Sequence, residues 1–147
     1  MIYTSPPKIF SPRFEVVSCL AEYKNDILFL RRQDHKPQRD KWGIIAGKVD
    51  DDEDLKKAIL REGCEEAGLL LYPACLQQLP TLYVKYPEYD FVYHTFHISL
   101  DFLLDEKPDV KLNPVEHKAF LWITAREALG LDLVPDMDAC LKMFYKI

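Results

Sequence analysis

Gly47-Lys-Val-Asp-Asp-Asp-Glu53-Asp-Leu-Lys-Lys-Ala-Ile-Leu-Arg61-Glu62-Gly-Cys-Glu65-Glu66-Ala-Gly68-Leu69 is the stretch on which the reading of this chain turns. It predicts a helix over 54–67. Asp54 is a good N-cap, because its short carboxylate can accept one of the unpaired N–H groups of the first turn. The four acidic residues 50–53 suit the positive end of that helix. Gly68 stands where helices commonly end in a left-handed residue. Leu55, Ala58 and Ile59 fall at helical spacing and form its apolar side. Glu62, Glu65 and Glu66 stand at i, i+3 and i+4, so their carboxylates share one face. Like charges this close repel, and a hard divalent cation relieves the strain while taking oxygen ligands. A solvated acidic face paired with lysines is the competing reading of the same spacing.

Upstream, residues 14–20 and 27–31 read as two strands joined around the turn signal Lys24-Asn25-Asp26. A polar loop, 33–41, runs to Trp42. Downstream, 81–86 and 91–103 read as strands separated by 87–90. In the second of these Val92, His94, Phe96, Ile98, Leu100 and Phe102 share one face and the odd-numbered residues the other. A proline-marked loop, 107–114, leads to a last strand near 119–123. Thr124 then caps a short helix, 125–129, and Asp136 opens a terminal one. Strands before and after a central helix, with more helices at the end, predict an α/β fold with a mixed sheet and helices on its faces. No linker divides the chain, so 1–147 is expected to be a single domain.

The 147 residues are 48% hydrophobic and 29% charged, with 19 Lys and Arg against 24 Asp and Glu, a net charge of −5. Such a balance speaks against gripping duplex DNA or an anionic membrane by bulk charge. It leaves room for a local basic pocket for a small phosphorylated ligand. No run approaches the roughly 18 apolar residues of a membrane span. The first eight residues carry no basic segment leading into an apolar stretch, so no secretory leader is expected. Cys19, Cys64, Cys75 and Cys140 have no zinc-ribbon or thioredoxin-type spacing. A reduced, cytoplasmic protein is the expectation.

Two rival cation or phosphate motifs fail by counting. Asp50, Asp52 and Asp54 imitate an EF-hand loop, but Leu55 stands at its glycine and Arg61 at its closing glutamate. Residues 43–48 imitate a phosphate-binding loop, but the spacing is one residue short and Val49 replaces the Ser or Thr that holds magnesium.

Counted from Gly47, the chain carries Glu53, Arg61-Glu62, Glu65-Glu66 and Gly68-Leu69, eight specified positions over 23 residues. This resembles the box of the Nudix (MutT-like) hydrolases, with Gly63 where the family has an aliphatic residue. Lys41 to Gly47 is similar to the family's entry to the box, with Ile45 for Pro and Ala46 for the first Gly. Asp52 replaces a common glycine, a change that left-handed backbone tolerates. Ile27 to Arg32 resembles the strand that ends in a phosphate-contacting arginine, and Glu116-His117 to Trp122 the family's Glu-His segment. The resemblance covers about residues 14–125 and implies an α/β/α sandwich around a mixed sheet.

It also implies roles. Glu62, Glu65 and Glu66 would bind Mg²⁺ or Mn²⁺, with the Ala46 carbonyl and Glu116 as further ligands. Arg61 would hold a glutamate in place through a bidentate pair. Glu53 would be structural, and Gly68 would supply φ > 0. Arg32 would contact phosphate. The general base is Glu62 or Glu116. Of the aromatics, Tyr83, Tyr86, Tyr93 and Phe96 are candidates to stack on a base. The implied reaction is hydrolysis of a phosphoanhydride in a nucleoside diphosphate linked to another group, first of all a nucleoside triphosphate. A dinucleoside polyphosphate is the nearest rival. ADP-ribose is less favoured, because Val84 stands where members acting on it often carry proline. A silent nucleotide-binding sensor is the alternative from another class. The expected partner is a small nucleotide, not duplex nucleic acid or a membrane, with a homodimer left open.

Overall fold

The structure, a computed structural model, describes residues 1–147. Its elements in chain order are β1 (Ile2–Tyr3), β2 (Pro12–Tyr23), β3 (Asp26–Arg32), β4 (Trp42–Gly43), β5 (Ile45–Lys48), α1 (Leu55–Ala67), β6 (Gln77–Gln78), β7 (Leu82–Lys85), β8 (Asp90–Ser99), β9 (His117–Thr124), α2 (Ala125–Ala128) and α3 (Met137–Tyr145). Alternation along the long strands decides the architecture. Val17, Cys19 and Ala21 of β2 with Leu28 and Leu30 of β3 enter one core. Leu20, Ile27 and Phe29, between them in sequence, enter another. A sheet apolar on both faces must be covered on both. Here α1 closes the first core through Ala58, Ile59 and Ala67. The second is closed by α2 and α3 through Ala125, Ala128, Met137 and Leu141. The result is the expected α/β/α sandwich.

The strands run in the order β1-β7-β8-β2-β3-β4, with β5 also paired to β2, β6 to β8 and β9 to β3. β2 and β8 are parallel, with Val17 opposite His94, and the other pairs are antiparallel, so the sheet is mixed.

The strand expected over 91–103 stops at Ser99, and Leu100–Phe102 form a 3₁₀ turn. Its parallel partner β2 runs out there, since the last pair is Glu22 with Ser99. Phe102, expected to share a strand face with Phe96 and Ile98, is accordingly 86% exposed. Thr124 and Glu127 make a reciprocal capping box at α2. Asp136 precedes α3 as expected, but with φ 66° and no side-chain cap bond. All four cysteines are free, Cys19 and Cys140 buried. No helix is long and apolar enough to cross a membrane.

Candidate active site

The carboxylate helix is held at both ends as its sequence dictates. Asp54 accepts the Lys57 N–H at 2.8 Å. Gly68 ends the helix at φ 63° and donates its N–H to the Cys64 carbonyl at 3.0 Å. The loop feeding α1 turns through Asp52 at φ 62°, the left-handed backbone anticipated there. Its closing residue, Glu53, accepts the Asp50 N–H at 3.0 Å.

Arg61 ties this loop to the helix. Its Nε and Nη2 form a two-pronged pair with Glu53 at 2.9 and 3.0 Å, and Nη2 also donates to the Lys48 carbonyl at 3.1 Å. Nη1 reaches Glu62 at 2.8 Å and Glu65 at 3.3 Å. The bidentate grip expected of Arg61 therefore falls on Glu53, and Glu62 receives a single bond. The fork holds the Glu53 carboxyl down at about 2, helped by the Asp50 N–H.

Glu62 and Glu66 are 8% and 4% exposed. Glu65, on the same face, is 56% exposed and lies at its rim. The Glu62 carboxylate fills the space that a Cβ on Gly47 would occupy, which accounts for glycine at the start of the stretch. Burial raises the Glu62 carboxyl, with Arg61 opposing and Glu65 and Glu116 adding. Burial raises Glu66 far more, opposed by the Ala46 N–H and reinforced by Glu62 and Glu116. That N–H meets Glu66 Oε1 at 2.8 Å, so Ala46 contacts the cluster through its backbone.

Two residues from the far end of the chain complete the group. Glu116, half-exposed, stands 3.6 Å from the Lys36 ammonium. His117, which begins β9, is 4% exposed, and its Nδ1 has no hydrogen-bond partner. Burial and the Arg32 charge push this imidazole down to about 4, against the pull of Glu116. Ligand atoms of Glu66, Glu116 and His117 all lie within 4.8 Å of one another. Three acceptors converging, one of them an orphaned nitrogen, fit a divalent ion, and the Lys36 ammonium touches only the outer one, Glu116.

Beside the cluster opens a cavity of about 140 Å³, lined by Glu66, His117, Arg32, Ala46 and the aromatic rings of Tyr86, Phe91 and Tyr93. A wider groove of about 730 Å³ shares Arg32, Tyr86 and Phe91 with it and adds Arg13, Lys48, Phe14 and Tyr89. Of the stacking candidates, Tyr86 and Tyr93 line the cavity. Phe96 is buried in the α1-side core, and Tyr83 packs edge-on against Phe10. Arg32 reaches the cavity while its Nε donates to the Pro37 carbonyl at 2.6 Å. His94 bonds Glu15 at 2.7 Å, away from the cluster. The sequence pattern assigned His117 and Phe91 no part in the site, and assigned Asp136, which also lines the cavity, only the opening of the terminal helix. The position of His117 directly after Glu116 was the one available signal.

The family model of the NUDIX domain matches residues 12–144. The chain is 28% identical over 124 residues to the CTP pyrophosphohydrolase of Escherichia coli (strain K12), a match covering 82% of this chain and 83% of that protein. Among solved structures it resembles the MutT protein from Methanosarcina mazei Go1, with TM-score 0.74 and 24% identity over 95% of this chain and 96% of that one. It also resembles the E. coli ORF135 protein, with TM-score 0.72 and 25% identity over 90% and 89%. A family match over nearly the whole length, on a helix that keeps every box carboxylate, shows that the chain belongs to the NUDIX domain family of hydrolases.

Proposed function

We propose that this protein hydrolyses a phosphoanhydride bond of a nucleoside triphosphate, with Mg²⁺ or Mn²⁺, releasing a nucleoside monophosphate and pyrophosphate, and that its base is a single-ring pyrimidine. The observation that carries this reading is the cavity of about 140 Å³ opening directly on the carboxylate cluster. An enclosed space of roughly 150 Å³ holds one benzene-sized ring, and this cavity, which runs into the wider groove, offers a seat of similar size at its inner end. Tyr86, Phe91 and Tyr93 offer faces and edges for that ring. The similarity to a CTP pyrophosphohydrolase supports the same choice.

Glu62, Glu66 and Glu116 would hold the cation, with Glu65 at the rim and the Ala46 carbonyl beside them. When bound, it neutralises charge on the phosphate oxygens and polarises the attacking water. Arg32 faces the phosphates from the cavity wall. Arg61 keeps Glu62 in position against Gly47. Glu116 would take the proton from water, as the half-exposed member of the group and the one nearest solvent. A dinucleoside polyphosphate is the second reading, favoured by the groove in which Arg13 and Lys48 lie beside the stacked Phe14 and Phe91 rings.

The experiment is turnover of CTP, UTP, ATP, GTP, ADP-ribose and a dinucleoside tetraphosphate, with phosphate and pyrophosphate followed separately. CTP or UTP should turn over fastest, yielding pyrophosphate, and EDTA should abolish the reaction. Turnover in metal-free buffer overturns the cation's role. Preference for the dinucleotide selects the second reading, and tight binding without turnover marks a sensor.

A further inference from the structure

The orphaned nitrogen of His117 is the feature that the proposed hydrolysis does not use. Buried polar atoms in folded proteins are almost always paired, and this one is not. It lies 3.9 Å from Glu66 Oε2, too far for a hydrogen bond. The nearest residues therefore do not satisfy it.

The backbone builds these groups as one unit. The Asn113 N–H donates to the Glu66 carbonyl at 3.3 Å, which ties the turn before β9 to the end of α1. The Asn113 carbonyl accepts the N–H groups of both Glu116 and His117 at 3.0 Å. Its side chain accepts the Val115 N–H at 3.1 Å, so the turn is pinned from both sides. β9 then fixes His117 opposite Arg32, just past an irregularity in the β3 pairing. The backbone of His117 is thus held from both sides, and its ring is 4% exposed.

We propose that His117 is a metal ligand, so that Glu66, Glu116 and His117 form a mixed nitrogen–oxygen site that favours Co²⁺ or Zn²⁺ over Mg²⁺. Metal–imidazole and metal–carboxylate bonds are each about 2.0–2.2 Å, so one ion spans the 3.9 Å between His117 Nδ1 and Glu66 Oε2. Imidazole suits the later first-row ions, whereas Mg²⁺ demands oxygen. Nitrogen in the site therefore changes which metal the protein selects. The inference rests on the proposed metal-dependent function but adds a ligand and a selectivity to it.

The test reads the ligand directly. Protein labelled with ¹⁵N-histidine is loaded with Mn²⁺ alone, and pulsed electron paramagnetic resonance records nitrogen coupling to the ion. Coupling is expected in the parent chain, which carries four histidines. It should persist in His94→Gln and vanish in His117→Gln. Calorimetry with Co²⁺ alone should show His117→Gln binding at least about tenfold more weakly, with Mg²⁺ affinity changed less than about threefold. Mn²⁺ binding without histidine coupling overturns the proposal and leaves the hydrolase reading standing. No Mn²⁺ binding at all overturns both. If His117→Gln fails to fold, coupling that persists in each of His35→Gln, His94→Gln and His97→Gln assigns the nitrogen to His117, and a parent spectrum without coupling overturns the proposal.

Discussion

Gly63→Ala is the substitution whose outcome the structure decides against simple helix propensity. Alanine in a helix is favoured over glycine by about 0.5–1 kcal/mol, so propensity alone makes the change stabilising. A Cβ at Gly63, however, would stand 2.8 Å from Leu71 Cδ1 and 3.1 Å from Leu71 Cγ. Ordinary carbon contacts lie at about 3.5–4.0 Å. Leu71 is 2% exposed in the α1-side core, so it cannot step aside into solvent. Overpacking of this kind costs about 1–3 kcal/mol. The net expectation is a loss of about 1–2 kcal/mol, which for a domain of this size lowers Tm by about 2–8 °C. Leu71→Ala removes both obstructing carbons and costs about 2–5 kcal/mol by itself. In that background Gly63→Ala should change sign and stabilise, giving a coupling of about 2 kcal/mol between the two positions. Urea unfolding of the four proteins, with equal m-values, measures the cycle. Stabilisation by Gly63→Ala in the parent, or the same sign in both backgrounds, would refute Leu71 as the reason for glycine here.

Gly47→Ala drives a methyl group into the Glu62 carboxylate and should lower kcat at least about tenfold while Tm falls by only a few degrees, as activity and thermal melts would record. A parental kcat would show that Glu62 has freedom the structure denies it. Glu116→Gln should lower kcat about 10²–10⁴-fold, the usual contribution of a general base, with Tm little changed. Activity within about threefold of the parent returns the base to Glu62. In metal-free protein the raised Glu66 carboxyl contributes stability that is present at about pH 4 and lost as pH rises through its folded value. Glu66→Gln should therefore raise Tm at pH 8 and leave it nearly unchanged at pH 4. An equal shift at both pH values would contradict a buried charge as the cause.

Much of the site was legible because it is governed by local rules. The cap at Asp54, the left-handed residues at Asp52 and Gly68, and the common face of Glu62, Glu65 and Glu66 follow from spacing of a few residues. The two faces of β8 followed from strict alternation. What stayed hidden depends on chain closure over long separations. Spacing says that Glu65 shares a face with Glu66, but the depth of that face is set by β5 and the turn before β9, which bury Glu66 and leave Glu65 in water. Arg61 grips Glu53 because the loop at 50–53 folds back on the helix. Tyr83 and Tyr86, three apart on one segment, face opposite ways by alternation, but their placement in the sheet decides that Tyr83 meets Phe10 and Tyr86 the cavity. The obstacle to a side chain at Gly63 comes from Leu71, after the helix has ended.

The parallel joining of β2 to β8 also sets an order of events in time. Val17 meets His94 across about half of the chain, and β3 meets β9 across a still longer span. Such pairings close large loops before they gain contacts, which slows folding. The helix carrying the carboxylates can form early from its own caps, but Ala46 reaches Glu66 only once β5 lies on β2, and His117 only once β9 lies on β3. Affinity for the proposed cation would then be a late acquisition of the chain. An added divalent ion should slow the unfolding limb more than it speeds refolding, because the site is complete only when the slow pairings are, and stopped-flow rates with and without the ion measure the split.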